Sequence, residues 1–198
     1  MGALRDCEAV ADSLLGQPIN SLTALAFVAG GLVILARTDL AWLGWASVGT
    51  GIGSFLFHGP MPPFAEWAHD TSLAWLLLVV AGIATPRERW TGLPGLALLA
   101  LPIAVVPGLG DPIGATLAVV AIGGLVLRER SRHTFGALGL LAVAAVVGRL
   151  GSTGGPLCDP ESTLQPHGLW HLAAATSVTW FALARTRAVR VAEPSVSE

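Results

Sequence analysis

Two histidines four residues apart, His167 and His171, open the last apolar stretch of this 198-residue chain, and a third, His58, closes an earlier one. Imidazole is costly in lipid, so ionisable groups inside a bilayer usually mark function. Three histidines are also the ligand count of a catalytic zinc site that keeps one position open for water. Zinc lowers the pKa of such a water to about 7. Ser54 lies one helical turn from His58, and residues four apart share a helix face. The same spacing puts both rings of the His167/His171 pair on one face. Asp70 is expected about one turn into the next apolar stretch. Asp70 has three candidate roles: general base towards water, general acid to a leaving group, or outer partner fixing a ligand tautomer. Ser54 could hydrogen-bond that water or a developing oxyanion.

These residues need helices to bring them to one level, and composition says where the helices lie. Hydrophobic residues make up 53% of the chain and charged residues 12%, about half the roughly 25% of a soluble domain. Mean hydropathy is +0.68. A span needs about 20 apolar residues. Seven stretches qualify, at about 20–37, 41–59, 66–85, 93–108, 112–128, 135–151 and 166–185. The expected fold is therefore all-α: one seven-helix transmembrane domain over residues 1–190, followed by a polar tail at 191–198. Pro60, Pro62 and Pro63 stop the second span and Pro86 the third. The fourth, with Pro94, Pro102 and Pro107, is short. No internal repeat is evident, and the charges at 5–12 leave no cleavable signal to expect.

The chain has no lysine, and all eleven basic residues are arginines. With seven spans, nine of them (Arg37, Arg87, Arg89, Arg128, Arg130, Arg132, Arg185, Arg187 and Arg190) fall on one side, the last three after span seven. Only Arg5 and Arg149 fall on the other. The positive-inside rule then makes the C-terminus cytoplasmic and the N-terminus external. Six spans would scatter the arginines over both faces. On this frame Ser54, His58, Asp70, His167 and His171 share one depth near the external surface. The competing readings are histidines that merely reach interfacial water, and an Asp70–Arg149 ion pair. His69 reads as interfacial or as a residue behind the ligands, and His133 as a loop residue. Gly49 and Gly53 have the spacing of close helix packing, and Trp42, Trp67, Trp90 and Trp170 that of an aromatic belt. Cys7 and Cys158 both fall on the external side, where oxidation is allowed. We expect a disulfide between them, against the alternative of two free thiols.

The pattern resembles the alkaline ceramidase family, seven-span zinc hydrolases of a wider group that includes adiponectin-receptor-like proteins. Asp6-Cys7-Glu8 resembles its N-terminal Cys-Glu segment, and Asn20-Ser21 the Asn-Thr that opens its first helix. Gly53-Ser54-Phe55-Leu56-Phe57-His58 matches Gly-Ser-x-x-Phe-His, and His167-Gly168-Leu169-Trp170-His171 matches His-x-x-Trp-His. The resemblance implies zinc on His58, His167 and His171 with Ser54 and Asp70 beside it. It also implies a Cys7–Cys158 disulfide and hydrolysis of a ceramide amide to a sphingoid base and a fatty acid. The family's calcium site also uses a Trp and an Asn without equivalents here, and Gln17 stands where its last Glu would be. No calcium control is expected, and Asp6 and Glu8 read as solvated acids.

The expected function is a zinc-dependent lipid amide hydrolase acting on ceramide or another N-acyl lipid. Rivals are an ester hydrolase on the same zinc, a transporter, and a non-catalytic receptor or metal-handling protein with a structural zinc. Expected partners are the amphipathic substrate and membrane lipids, with no nucleic acid. Oligomeric state is left open. The Arg-only, Ala/Gly-rich composition points to a bacterial cytoplasmic membrane.

Overall fold

The computed structural model describes residues 2–83, 88–106 and 108–192. Among the described residues there are helices and no strand. A 3-10 turn at Gly2–Arg5 precedes α1 (Pro18–Arg37), α2 (Ala41–His58), α3 (Ala65–Ile83), the four-residue α4 (Glu88–Thr91), α5 (Leu93–Val105), α6 (Gly110–Arg128), α7 (Arg132–Leu150) and α8 (Pro166–Ala192). Each of the seven expected stretches is thus a helix, and α4 is an addition. Two boundaries need correction. The last helix continues to Ala192, so Arg185, Arg187 and Arg190 lie on it and not beyond it. α7 starts at Arg132, with Ser131 Oγ accepting from the Thr134 N–H at 3.0 Å. His133 is therefore in the first turn of a helix, against Trp180, and not in a loop. The expected stop at Pro86, Arg87, Pro107 and the tail 193–198 lie outside the described residues.

Three helices, α1, α6 and α7, are long and apolar enough to cross a membrane. α5 is apolar but has 13 residues, about 20 Å of helix. α2, α3 and α8 have the length but carry polar groups at one end: Ser54 and His58; His69, Asp70, Thr71 and Ser72; His167 and His171. One apolar core takes side chains from all seven long helices, including Phe27, Leu43, Trp75, Leu99, Leu125, Ala137 and Phe181. The outward faces are apolar too. Leu98, Leu101, Val119, Leu127 and Val143 are each more than 60% exposed, an arrangement that water penalises and hydrocarbon does not.

α1 packs between α2 and α8, α3 between α2 and the α5–α6 pair, and α7 against α8, while α6 and α7 touch each other little. Backbones approach closely on both sides of α2. A methyl group at Gly51 would lie 2.8 Å from the Val28 backbone nitrogen of α1, and one at Gly53 2.8 Å from the Ala68 carbonyl oxygen of α3. Small residues let helix backbones meet where no hydrophobic force drives them together. Gly49, the partner of Gly53 in the expected packing motif, has only ordinary contact, 3.6 Å from the Trp75 ring. Gly51→Val should lower stability by about 1–3 kcal/mol, read as the melting temperature of purified protein in detergent. Gly139→Ala, with open space around it, should leave it unchanged.

Candidate metal centre

The α2 C-terminus delivers His58, and the first two turns of α8 deliver His167 and His171. His58 and His171 are buried, with 0% and 2% of their surface exposed. Ring centroids are 4.9 Å apart for His58–His167, 5.3 Å for His58–His171 and 4.5 Å for His167–His171. One nitrogen from each lies within 4.8 Å of the others. Tetrahedral zinc with nitrogens at about 2.0–2.1 Å sets them about 3.4 Å apart, so small ring rotations suffice.

What each ring does with its other nitrogen decides which nitrogen is free. His58 Nδ1–H donates to Gln17 Oε1 at 2.7 Å. The Gln17 amide cannot be turned round, because its Nε2 donates to the carbonyls of Ala3 (2.9 Å) and Glu8 (2.8 Å). His171 Nδ1–H donates to the Asn20 carbonyl at 3.1 Å, with Thr23 Oγ1 at 3.3 Å. A carbonyl only accepts, so this nitrogen carries the proton. His167 Nδ1 faces Asp6 Oδ1 at 3.4 Å. A neutral imidazole has one N–H, so His58 and His171 keep the Nε2 lone pair, and the carboxylate facing His167 Nδ1 favours the same tautomer there. The Nε2 atoms of His58 and His167 are buried without any hydrogen-bond partner, a costly state for a polar atom that an ion relieves. Metal-bound histidines usually give their second nitrogen to a carbonyl or carboxylate in this way. The residues present fit a three-histidine metal site.

The oxygen partners come from the N-terminal segment and the first turn of α1. Glu8 is 7% exposed, and its carboxylate accepts from the N–H groups of Ile19 (2.7 Å) and Asn20 (2.8 Å). It thereby satisfies two orphan donors at the helix start and places a negative charge at the positive end of the dipole. Asp6 and Glu8 are therefore not solvated acids. Burial pushes the Asp6 carboxyl up to about 6, against the opposing pull of positive charge at His69 and Arg5. Cys7 between them has φ 70°, a left-handed conformation uncommon outside glycine. It lets its two neighbours reach different helices, Asp6 to α8 and Glu8 to α1. Cys7 is bonded to Cys158, as expected, with Cα atoms 5.5 Å apart. Arg5 O accepts from Thr153 N–H (2.9 Å) and Pro160 O from Ala9 N–H (3.1 Å), so the segment is sewn to the α7–α8 loop.

The other expected site residues have their own surroundings. Ser54 is buried one turn below His58 on α2. Asp70 Oδ1 accepts from His69 Nδ1 at 2.9 Å, and its other oxygen sits against Gly110 at the start of α6. The alternative Asp70–Arg149 pair does not form: Arg149 donates to Ser152 Oγ at 3.0 Å. His69 stacks on Phe57, with centroids 4.7 Å apart, and its ring is 6.4 Å from that of His58. The Asn20 side chain is buried beside His171 with both amide atoms unpaired.

Gln17, Asn20, Thr23 and Asp6 were not expected as partners of the ligands. Their one signal is position: polar groups crowding the entrance of the first apolar helix, at the level of the histidines. Comparison with protein-family models, curated proteins and solved structures finds no match for this chain. Gln17→Leu and Asp6→Ala each leave all three histidines in place, and each should weaken zinc retention about 10- to 100-fold. Competition against a chelator of known affinity measures this. Full retention in both would mean that the tautomers are set by something else.

Proposed function

We propose that the chain is a seven-span intramembrane zinc hydrolase that cleaves the amide of an amphipathic lipid, as the resemblance to alkaline ceramidases implies. The observation that carries the proposal is the convergence of three histidines, with the Nδ1 protons of His58 and His171 held by oxygens, His167 Nδ1 facing the Asp6 carboxylate, and the Nε2 atoms of His58 and His167 buried and unpaired. The seven-span reading is supported by where the charges lie. Arg37 shares a groove with Arg187 and Arg190, and Glu129 pairs with Arg185, at the end away from the histidines. Arg5 and Arg149 are at the histidine end, near Asp111 and Ser152. The helices that miss the composition of a span are α2, α3 and α8, which hold the polar site residues, and the short α5.

Bound by the three histidines, zinc supplies Lewis acidity and lowers the pKa of a water to about 7. His58, His167 and His171 hold the site in a dry, shaped end of the bundle, and their outer oxygen partners keep each ring in one orientation. Asp70 would take a proton from the attacking water and return it to the leaving amine nitrogen, and His69, sharing its Nδ1 proton with Asp70 Oδ1, would spread the charge change over the pair. Ser54, one turn below His58, donates its hydroxyl proton to the oxygen that gains negative charge. The limited contact between α6 and α7 offers the substrate a sideways path from the bilayer, with its acyl chain among the helices and its amide at the histidine level.

Purified protein with zinc, assayed on a panel of N-acyl and O-acyl lipids, tests the reading. The parent should release fatty acid and His171→Ala should not. Lipid binding without turnover in both would favour the non-catalytic receptor or metal-handling reading. Ester-only turnover would keep the zinc and change the substrate. Asp70→Asn should keep its zinc and lose turnover on the order of 100-fold or more. Parental activity in that variant would remove Asp70 from the chemistry.

A further inference from the structure

The arginine-rich end of the bundle carries a second feature that the histidine site does not use. α1 and α8 run side by side from the histidine end, where Asn20 meets His171, to a groove of about 540 Å³ between their last turns. Leu32, Val33 and Leu183 line its apolar part, and Arg37, Arg187 and Arg190 bring three guanidinium groups to it. All three arginines are exposed, and none has an acidic partner among the described residues. The contrast is on the same helix, where Arg185 is paired with Glu129. The groove therefore gathers positive charge that no acid among the described residues pairs with.

Depth identifies what could neutralise it. α8 has 27 residues, about 40 Å of helix, against a hydrocarbon core of about 30 Å. Starting near one surface, its last turns emerge into the headgroup layer on the other side, and they carry Arg187 and Arg190. α1 has 20 residues, about 30 Å, and ends on Arg37 at the same level. Leu32 and Val33 are one turn deeper, at acyl depth. An anion with an apolar tail satisfies both parts at once, whereas a free anion leaves the apolar lining unused. Guanidinium binds phosphate through two parallel hydrogen bonds, and basic pockets between helices on the cytoplasmic side hold anionic headgroups.

We propose that the α1–α8 groove is a binding site for an anionic phospholipid, with its phosphate on Arg37, Arg187 and Arg190 and an acyl chain along Leu32 and Val33. The proposal rests on α1 and α8 crossing the membrane and not on the metal chemistry. The test is native mass spectrometry of the full chain in neutral detergent. The titrants are phosphatidylglycerol, phosphatidylcholine with the same acyl chains, and inorganic phosphate. The parent should prefer phosphatidylglycerol by on the order of a hundredfold, from three arginine contacts. The R37Q/R187Q/R190Q variant should lose that preference, while R130Q/R132Q, which removes charge elsewhere at the same end, should keep it. Val33→Trp fills the groove with every charge in place and should also lower occupancy. An unchanged preference in the triple variant or in Val33→Trp overturns the proposal, as does an equal loss in the control. Displacement of the lipid by inorganic phosphate at equal concentration also overturns it, because the site then takes a free anion. Zinc retention, measured on the same samples, should be unchanged throughout, so failure of the groove and failure of the histidine site read out separately. If the triple variant loses zinc and has misfolded, Val33→Trp decides.

Discussion

His58 gives its Nδ1 proton to Gln17 Oε1 and His171 to the Asn20 carbonyl, while His167 Nδ1 faces the Asp6 carboxylate at 3.4 Å, and the rest of the site depends on these acceptors. Without those acceptors a neutral imidazole is free to exchange tautomers and rotate, and the Nε2 lone pairs have no reason to meet. With them, the ring nitrogens of His58 and His167 are left buried and unpaired, at a cost of about 1–3 kcal/mol for each such polar atom. A cation bound by these nitrogens would offset that cost and would link metal binding to the stability of this end of the bundle. Gln17 grips His58 twice: its side chain accepts from the ring, and its backbone N–H donates to the His58 carbonyl at 2.8 Å. One residue therefore ties the end of α2 to the beginning of α1.

The N-terminal segment belongs to the site for the same reason. It supplies Asp6 to His167, two carbonyls that orient Gln17, and Glu8 to the start of α1. The Gln17 and Glu8 contacts span 9 to 14 residues, whereas Asp6 and His167 come from opposite ends of the chain. The Cys7–Cys158 bond spans 151 residues, and cross-links that close long loops constrain the unfolded chain most. The segment and the α7–α8 loop together shield the outer side of the histidines, where water would otherwise compete for the same lone pairs.

The proposed site would set a conflict between chemistry and membrane insertion. Every polar ligand lowers the apolar character of the helix that carries it, and this chain concentrates that loss in α2, α3 and α8. α1, α6 and α7 stay apolar enough to span by composition alone. The polar ends of α2 and α3 are covered by neighbouring helices and not by lipid: Ser54, His58 and Thr71 are all nearly inaccessible. At the opposite end, α8 is about 40 Å long, and its last turns carry Arg187 and Arg190.

The helices and the ligand trio were readable from the chain because both follow from local geometry. Apolar runs of span length can bury their backbone polar groups in lipid only as helices, and a spacing of four residues puts His167 and His171 on one face whatever surrounds them. Alternating helix directions and the arginine count then brought His58 to the same depth. The extension of α8 and the short α4 were missed, because a helix end depends on contacts and charges beyond its apolar run. The roles of Gln17, Asp6, Glu8 and the Asn20 carbonyl belonged to the folded molecule alone. A buried amide, a carboxylate and a backbone oxygen carry no periodic signal, and polar residues before a first span look the same whether water or an imidazole receives them. Which one does is decided only when a disulfide and the packing of α1 against α2 and α8 bring Gln17 to His58, 41 positions away, and the Asn20 carbonyl to His171, 151 positions away.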